Sequence, residues 1–172
     1  IGRDPLDTRS LSTDLGEKLI KILGPAGLNT QVLAAINIAC WDIKGKALGK
    51  SIHELLGGAQ KRIRTYIAGG YYAMGKGLEE LQAEVQFNVE ELHASAVKIK
   101  IGDPNVGVAG DMLRVEAARK AIGDKVTLMV DANCALDLNT SMEFARLLPE
   151  YDVYWFEEPL PIHNYEEHGK LA

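Results

Sequence analysis

Two lysines separated by one residue, Lys98 and Lys100, stand in the apolar run AVKIKI at residues 96–101. Side chains of a β-strand alternate between its two faces, so both lysines would share one face and the apolar residues the other. Two neighbouring ammonium groups in a partly buried place repel each other, and this repulsion together with desolvation lowers the pKa of one of them. A lysine that is neutral near pH 7 can act as a general base. The same spacing also fits the solvent face of an edge strand, and the run alone leaves both interpretations open.

Acidic side chains end two further apolar runs. Asp131 and Asn133 lie at the end of VTLMVDAN, and Glu157 and Glu158 at the end of VYWFEEPL. Barrel enzymes carry catalytic groups at the carboxyl ends of neighbouring parallel strands, and carboxylate oxygens are ligands that Mg²⁺ prefers. Taken singly, each acidic residue is also explained as a helix cap or a loop salt bridge. Because successive side chains alternate, only one of the two glutamates can face the side of Asp131, and periodicity does not say which.

Four short β-type runs, separated by amphipathic helical patterns, would position these side chains. The runs span residues 62–70, 96–101, 126–133 and 153–160, and Thr140 and Glu143 predict a capping box at the start of the third helix between them. This alternation predicts βα units and a parallel sheet, either an open doubly wound sheet or a (β/α)8 barrel. The glycines of YIAGGYYAMGKG lack the G-x-G-x-x-G order of a nucleotide-binding loop, which weakens the first alternative. A complete barrel needs about 250 residues, so four units would be half of one.

The chain before about residue 60 predicts helices and no strand. Apolar residues at steps of three and four from Leu33 to Ala47 predict one helix, with Asn29 or Thr30 as a cap at its start and Gly49 at its end. The segment SIHELLGG predicts one further short helical turn. This part therefore differs in pattern from the strand-containing part that follows it.

The composition excludes several function classes. Of the 172 residues, 47% are hydrophobic and 25% charged, which is typical of a globular protein and excludes disorder. With 19 basic and 24 acidic residues, the net charge of −5 argues against nucleic acid as a partner. No apolar stretch is long enough to span a bilayer, the first residues do not resemble a secretory signal, and two separated cysteines suit neither a disulfide framework nor a zinc site. We therefore expect a soluble, cytoplasmic protein that binds neither nucleic acid nor a membrane.

Taken in order, these motifs resemble the enolase superfamily and, within it, the mandelate racemase / muconate lactonizing enzyme family. AVKIKIG, LMVDAN, and WFEEPL followed by HNYEEH resemble motifs of that family's second, third and fourth barrel strands. AAINIACWDIKGKALGKSIHELLGG resembles the helical end of its capping domain, with Ser51 where many members have proline. The resemblance implies an α/β fold: residues 1–60 as the helical C-terminal part of an α+β capping domain, and residues 61–172 as the first four βα units of a (β/α)8 TIM-type barrel.

The resemblance also implies a role for each motif residue. Lys100 would be the base that removes the proton α to a carboxylate, and Lys98 would depress its pKa and help to hold the substrate carboxylate. Asp131 and Glu157 would be Mg²⁺ ligands, which selects the first of the two glutamates. Asn133 would contact the substrate or lie next to the metal's direct ligands. This chemistry needs concentrated positive charge, because the intermediate is an enediolate.

The activity implied by the resemblance is Mg²⁺-dependent abstraction of an α-proton, with an acid-sugar dehydratase favoured by the racemase-like run HNYEEH. The alternatives are a racemase or epimerase of a 2-hydroxy acid, a cycloisomerase, or a barrel-derived binding protein without catalysis. Family members carry a third carboxylate ligand and a partner acid or base on later strands, which would lie past Ala172. We therefore expect the chain to be part of a longer enzyme that is a homo-oligomer at full length, and residues 1–172 alone to be inactive.

Overall fold

The computed structural model describes residues 2–24, 26–58 and 62–172. The helices are α1 (Thr8–Leu23), α2 (Leu28–Leu48), α3 (Ile52–Leu55), α4 (Leu78–Glu90), α5 (Gly107–Ile122), α6 (Leu138–Leu147) and α7 (Tyr165–Leu171), with a 3-10 turn at Leu148–Tyr151. The strands are β1 (Ile67–Ala68), β2 (Ala96–Lys100), β3 (Thr127–Asp131) and β4 (Val153–Glu157). In these described ranges no helix is long and apolar enough to cross a bilayer.

The chain forms two compact units, residues 1–63 and 64–172. The boundary expected between residues 60 and 61 lies outside the described residues. The described part of the first unit contains helices and no strand, in agreement with the sequence pattern, and α1 packs against α2.

Glycines, rather than polar caps, bound helix α2. The helix begins directly after Gly27, so Asn29 and Thr30 lie inside its first turn and the expectation that one of them caps it is wrong. The Asn29 side chain instead donates to the carbonyl of Gly24 at 3.3 Å. At the other end the expectation is confirmed: Gly49 adopts the left-handed conformation, with φ of 62°, and its N–H closes the last turn.

The second unit is a four-stranded parallel sheet in the order β1-β2-β3-β4. Every strand pairs with the strand that precedes it along the chain, and each pairing is parallel. A doubly wound sheet reverses its strand order at a switch point, whereas a barrel adds strands in one direction. The observed order is therefore that of consecutive βα units of a barrel.

The apolar face of the sheet packs under α4, α5 and α6 and forms the core. Its fully buried members include Leu81, Val85, Val97, Ile99, Val115, Leu128, Val130 and Phe144. Val97 and Ile99 of β2 alternate with Lys98 and Lys100, as expected when successive side chains of a strand point to opposite faces. The helix layer thus takes the apolar side chains and leaves the lysines on the opposite face.

Helix α6 begins earlier than the sequence pattern predicts. Asp137 occupies the N-cap position, and its carboxylate accepts the Thr140 backbone N–H at 2.8 Å. The expected capping box of Thr140 and Glu143 is therefore wrong. Both residues lie within the helix, because an aspartate three positions before Thr140 already satisfies the free N–H groups of the first turn.

Candidate functional site

Two lysines and two carboxylates meet on the sheet face opposite the helices. The Lys98 Nζ atom lies 2.8 and 2.7 Å from the two carboxylate oxygens of Glu157 and 3.2 Å from Oδ2 of Asp131. The Lys100 Nζ atom donates to the same Asp131 oxygen at 2.6 Å. The structure therefore brings four of the five residues to which the resemblance gives a role into one connected cluster of charges.

Strand register places these residues together. Lys100 in β2 pairs with Asp131 in β3, and Asp131 in turn pairs with Glu157 in β4. Because β2 lies between β1 and β3, it is a central strand, and the interpretation of K-x-K as the solvent face of an edge strand is wrong. The Lys98 residue is only 6% exposed.

An extra residue in β4 determines which glutamate joins the cluster. Leu128 pairs with Val153, but Val130 pairs with Phe156, so β4 has one residue more than β3 over this stretch. Such a bulge shifts the alternation of side chains by one position. As a result Glu157 faces Asp131. Glu158 is exposed, adopts a φ of 44°, and accepts with its backbone carbonyl the N–H of Cys134 in the loop after β3.

The Lys98 ammonium is held in its charged form. Burial by itself lowers the pKa of Lys98, but hydrogen bonds to Glu157 and Tyr66 and the neighbouring Asp131 carboxylate outweigh it and raise that pKa above its ordinary value. The base implied by the resemblance is Lys100 and not Lys98, and that role stays a prediction. Carboxylates lie between the two ammonium groups and supply the stronger interaction.

Asp131 is the central member of the cluster and is 2% exposed. Burial raises the pKa of its carboxyl, but hydrogen bonds from Lys100, the Asn133 backbone N–H and Lys98 outweigh burial and hold the pKa below its ordinary range. The Asn133 N–H donates to Oδ1 of Asp131 at 2.9 Å from a left-handed backbone with φ of 47°. Asn133 thus reaches the cluster through its backbone, while the residue itself is exposed.

Two tyrosines that are not among the predicted site residues lie over the lysines. The Tyr66 hydroxyl accepts a hydrogen bond from Lys98 at 3.2 Å, and its ring centroid is 4.9 Å from Nζ. The Tyr71 ring is centred 5.5 Å from the Nζ atom of Lys100. Tyr66 directly precedes β1, and its face depends on the pairing of that short strand, for which the sequence contains no local signal.

The donor set of the cluster fits a hard divalent cation. The carboxylates of Asp131 and Glu157 already converge on one cation, the Lys98 ammonium, and both offer the oxygen ligands that Mg²⁺ prefers. Across residues 2–24, 26–58 and 62–172, no group of three or more His, Cys, Asp or Glu side chains is placed to hold a metal. The described residues therefore supply two convergent carboxylates. Cys134, in the adjacent loop, is a free thiol.

Two family models match the chain. The model described as mandelate racemase / muconate lactonizing enzyme, N-terminal domain, matches residues 1–57. The model described as enolase C-terminal domain-like matches residues 80–172, which contain Lys98, Lys100, Asp131, Asn133 and Glu157.

Several curated proteins resemble the chain along most of its length. It is 34% identical over 149 residues to arabinonate dehydratase of Saccharolobus solfataricus, covering 87% of the chain and 39% of that protein. It is 33% identical over 172 residues to L-talarate/galactarate dehydratase of Salmonella typhimurium, covering 100% and 42%. It is 34% identical over 163 residues to D-galactarolactone cycloisomerase of Agrobacterium fabrum, covering 93% and 42%. The chain thus spans about two fifths of the length of these relatives.

A solved structure matches the whole chain. L-Talarate dehydratase from Polaromonas sp. JS666, complexed with Mg and L-glucarate, superposes with a TM-score of 0.83 at 35% identity, covering 100% of this chain and 47% of that one. The match includes both compact units and the four βα units of the sheet.

Proposed function

Because the chain belongs to the mandelate racemase / muconate lactonizing enzyme family of the enolase superfamily, we propose that it contributes to an enzyme that removes the proton α to a carboxylate with the help of Mg²⁺. The observation that carries this proposal is the cluster of Lys98, Lys100, Asp131 and Glu157, in which three lysine–carboxylate pairs are 2.6–3.2 Å apart. This cluster stands at the carboxyl end of parallel strands, where barrel enzymes perform their chemistry.

Lys100 is the proposed base. Its Nζ atom would accept the α-proton, and in its neutral form it would give up the ion pair with Asp131 that it makes at 2.6 Å. Lys98 stays charged, because Tyr66 and the carboxylates favour its ammonium form, and it would bind the substrate carboxylate. Loss of the α-proton places negative charge on that carboxylate, so a fixed positive group beside it stabilises the transition state more than the ground state.

Asp131 and Glu157 are the proposed Mg²⁺ ligands within this chain. When bound, the ion supplies Lewis-acid stabilisation of the developing negative charge. The Asn133 N–H fixes the orientation of the Asp131 carboxylate, and the exposed Asn133 side chain is available to contact substrate. We also propose that residues 1–60 are the end of a capping domain and residues 61–172 the first half of the barrel.

We propose an acid sugar as the substrate and dehydration as the overall reaction. Two of the three relatives named above are dehydratases of sugar acids, and the matched solved structure holds L-glucarate. Cycloisomerisation is the second candidate, supported by the 34% identity to D-galactarolactone cycloisomerase. Both reactions begin with loss of an α-proton, so the proposed roles of the lysines are the same in each.

The test uses the complete gene product, Mg²⁺ and a panel of sugar acids in deuterated water, with proton NMR detecting exchange at the α-carbon. We expect exchange for at least one substrate, loss of it in Lys100→Ala, and Mg²⁺ affinity in that variant close to the parent value. Lys120→Ala is the matched control, because Lys120 is an exposed lysine of the same unit whose ion pair with Glu116 is remote from the cluster. Exchange that persists in Lys100→Ala would place the base elsewhere, and absence of any Mg²⁺ binding would favour a binding protein without catalysis.

A further inference from the structure

A second group of charged side chains is buried behind the site, between helix α5 and the loops that follow β1 and β2. Asp111 and Arg114 lie one turn apart on α5 and are 0% and 5% exposed. Their charged groups are 3.7 Å apart, and the Arg114 guanidinium stacks on the Tyr72 ring at 4.2 Å. None of the roles proposed above uses these residues.

Arg114 binds the backbone at the ends of two strands. One terminal nitrogen donates to the carbonyl of Gly70, just after β1, at 2.5 Å. The same nitrogen lies 3.5 Å from the carbonyl of Lys100, the last residue of β2. A single guanidinium thus contacts both the residue before Tyr71, whose ring covers Lys100, and Lys100 itself.

Asp111 holds the other side of the same backbone. Its Oδ2 atom accepts the Gly102 N–H at 2.7 Å, and Oδ1 accepts the Tyr72 hydroxyl at 2.5 Å. The Tyr72 oxygen in turn accepts the Asp103 N–H at 3.4 Å. The backbone that follows β2, at Gly102 and Asp103, is therefore tied to α5 through this carboxylate.

Stability alone does not account for this arrangement. A buried ion pair loses hydration energy, and apolar residues of the same volume usually stabilise a fold as well or better. In addition, the buried Nε atom of Arg114 has no hydrogen-bond partner among the described residues. What charged side chains provide here, and apolar ones would not, is a set of directional bonds to the backbone that carries Lys100.

We propose that Asp111 and Arg114 are positioning residues that fix the Lys100 backbone and the Tyr71 loop in the geometry needed for proton abstraction. They reach no substrate, and they act through the carbonyls of Gly70 and Lys100 and the N–H of Gly102. The catalytic part of this proposal rests on the proposed function of Lys100. A displacement of about 1 Å at a reacting group can lower a rate by on the order of 10²-fold, so small shifts at this anchor matter.

The same helix offers a matched control. Arg119 also donates to backbone carbonyls, those of Tyr151, Gly123, Val126 and Asp152, at 2.8–3.0 Å. These contacts lie at the opposite end of the sheet, where β3 and β4 begin. Substitution of Arg119 therefore removes a similar set of arginine–carbonyl bonds without touching the backbone of Lys100.

The experiment compares Arg114→Gln, Arg114→Lys and Arg119→Gln in the complete gene product. We expect Arg114→Gln to lower kcat for α-proton exchange by about tenfold to a hundredfold with little change in KM or Mg²⁺ affinity. Arg114→Lys should recover part of the loss, because an ammonium can still donate to Gly70. Arg119→Gln should lower the free energy of unfolding comparably while kcat stays near the parent value. Equal kcat in the two glutamine variants would overturn the proposal.

A readout independent of activity separates this proposal from the function of Lys100. Amide hydrogen exchange measured by mass spectrometry should quicken at residues 68–72 and 100–103 in Arg114→Gln and in the milder Asp111→Asn, but not in Arg119→Gln. Unchanged protection of these two segments overturns the positioning role, whatever the activity. Retained α-proton exchange in Lys100→Ala refutes the proposed function instead, while leaving the backbone measurement to stand by itself.

Discussion

The Lys98 ammonium occupies the position where the carboxylates of Asp131 and Glu157 converge, so it competes with any metal that binds them. Replacing Lys98 with methionine keeps most of the volume and removes the charge. We expect Lys98→Met to tighten Mg²⁺ binding by about tenfold, which corresponds to ~1.4 kcal/mol. The reason is that the metal ion then neither has to displace the Lys98 ammonium nor is repelled by it. Isothermal titration calorimetry on the complete gene product checks this.

Two further measurements accompany that prediction. Without Mg²⁺, Lys98→Met should have a lower free energy of unfolding than the parent, because the buried carboxylates lose a partner. Addition of Mg²⁺ should restore more stability to the variant than to the parent, since binding to the folded state shifts the equilibrium. Lys120→Met is the control. Mg²⁺ affinity that falls in Lys98→Met would show that Lys98 supports the metal site rather than competing with it.

At the residue scale, the alternation of side chains along a strand predicted where the two lysines lie, but it did not predict the positions of Glu157 and Tyr66. The shared face of Lys98 and Lys100 follows from period two in a strand without irregularity. The choice of Glu157 over Glu158 depends on the extra residue in β4, which no local pattern in VYWFEEPL reveals. Only the family resemblance pointed to Glu157. The place of Tyr66 over Lys98 arises from pairing between residues 32 positions apart, which local patterns do not contain.

At the scale of elements, the loop after β1 approaches β2 closely because Gly70 lacks a side chain. A Cβ atom there would lie 2.7 Å from Cβ and 3.1 Å from Cα of Ile99, in a backbone with φ of 61°. Gly75, in the same loop, has φ of 77° but open space around it. We expect Gly75→Ala to cost about 1–2 kcal/mol from backbone strain, and Gly70→Ala to cost a further ~1–3 kcal/mol from overpacking. Urea unfolding of both variants measures the difference. Equal losses would show that conformation, not close approach, requires glycine at Gly70.

Helix α4 is tied to the loop after β1 through Glu84, which binds the Lys76 ammonium and accepts the Gly70 N–H at 3.0 Å. Burial raises the pKa of Glu84, but these two partners outweigh it and hold the pKa below its ordinary value of 4.5. A lowered folded-state pKa means that the stabilisation is complete above the unfolded pKa and is lost as pH falls through the folded one.

Glu84→Gln should therefore reduce stability near pH 7 and approach the parent stability at acid pH, below the ordinary carboxyl range. Urea unfolding of parent and variant at a series of pH values measures the difference in their free energies of unfolding. The other acidic groups titrate in both proteins, so their contributions cancel in this difference. A stability difference that does not change with pH would mean that Glu84 acts through packing and not through its charge.

At the scale of the whole molecule, the local sequence patterns predicted the number and order of βα units, whereas the choice of a barrel came from the family resemblance. A doubly wound sheet and a barrel both alternate strands with helices, so their local patterns are the same. What separates them is which strands pair, and β1 to β4 pair in chain order without reversal. Strand β1 is also shorter than the predicted run at 62–70, because only Ile67 and Ala68 pair with β2.

The four-stranded sheet has β1 and β4 at its two edges, and the two strands differ in how readily they could pair with another chain. The two-residue strand β1 offers little unpaired backbone, whereas β4 offers five residues with Tyr154 70% and Trp155 38% exposed. An apolar edge strand of this length is a template for pairing with another chain.

We expect the polypeptide of residues 1–172, expressed by itself, to self-associate through β4. We also expect it to turn over no sugar acid, because two carboxylates hold Mg²⁺ weakly. Light scattering after size exclusion should show species larger than a monomer that decrease in Tyr154→Lys, since lysine protects sheet edges. Tyr165→Lys, which adds the same charge at an exposed tyrosine outside the sheet, is the control. A monomer at every concentration, or measurable turnover, would contradict the prediction.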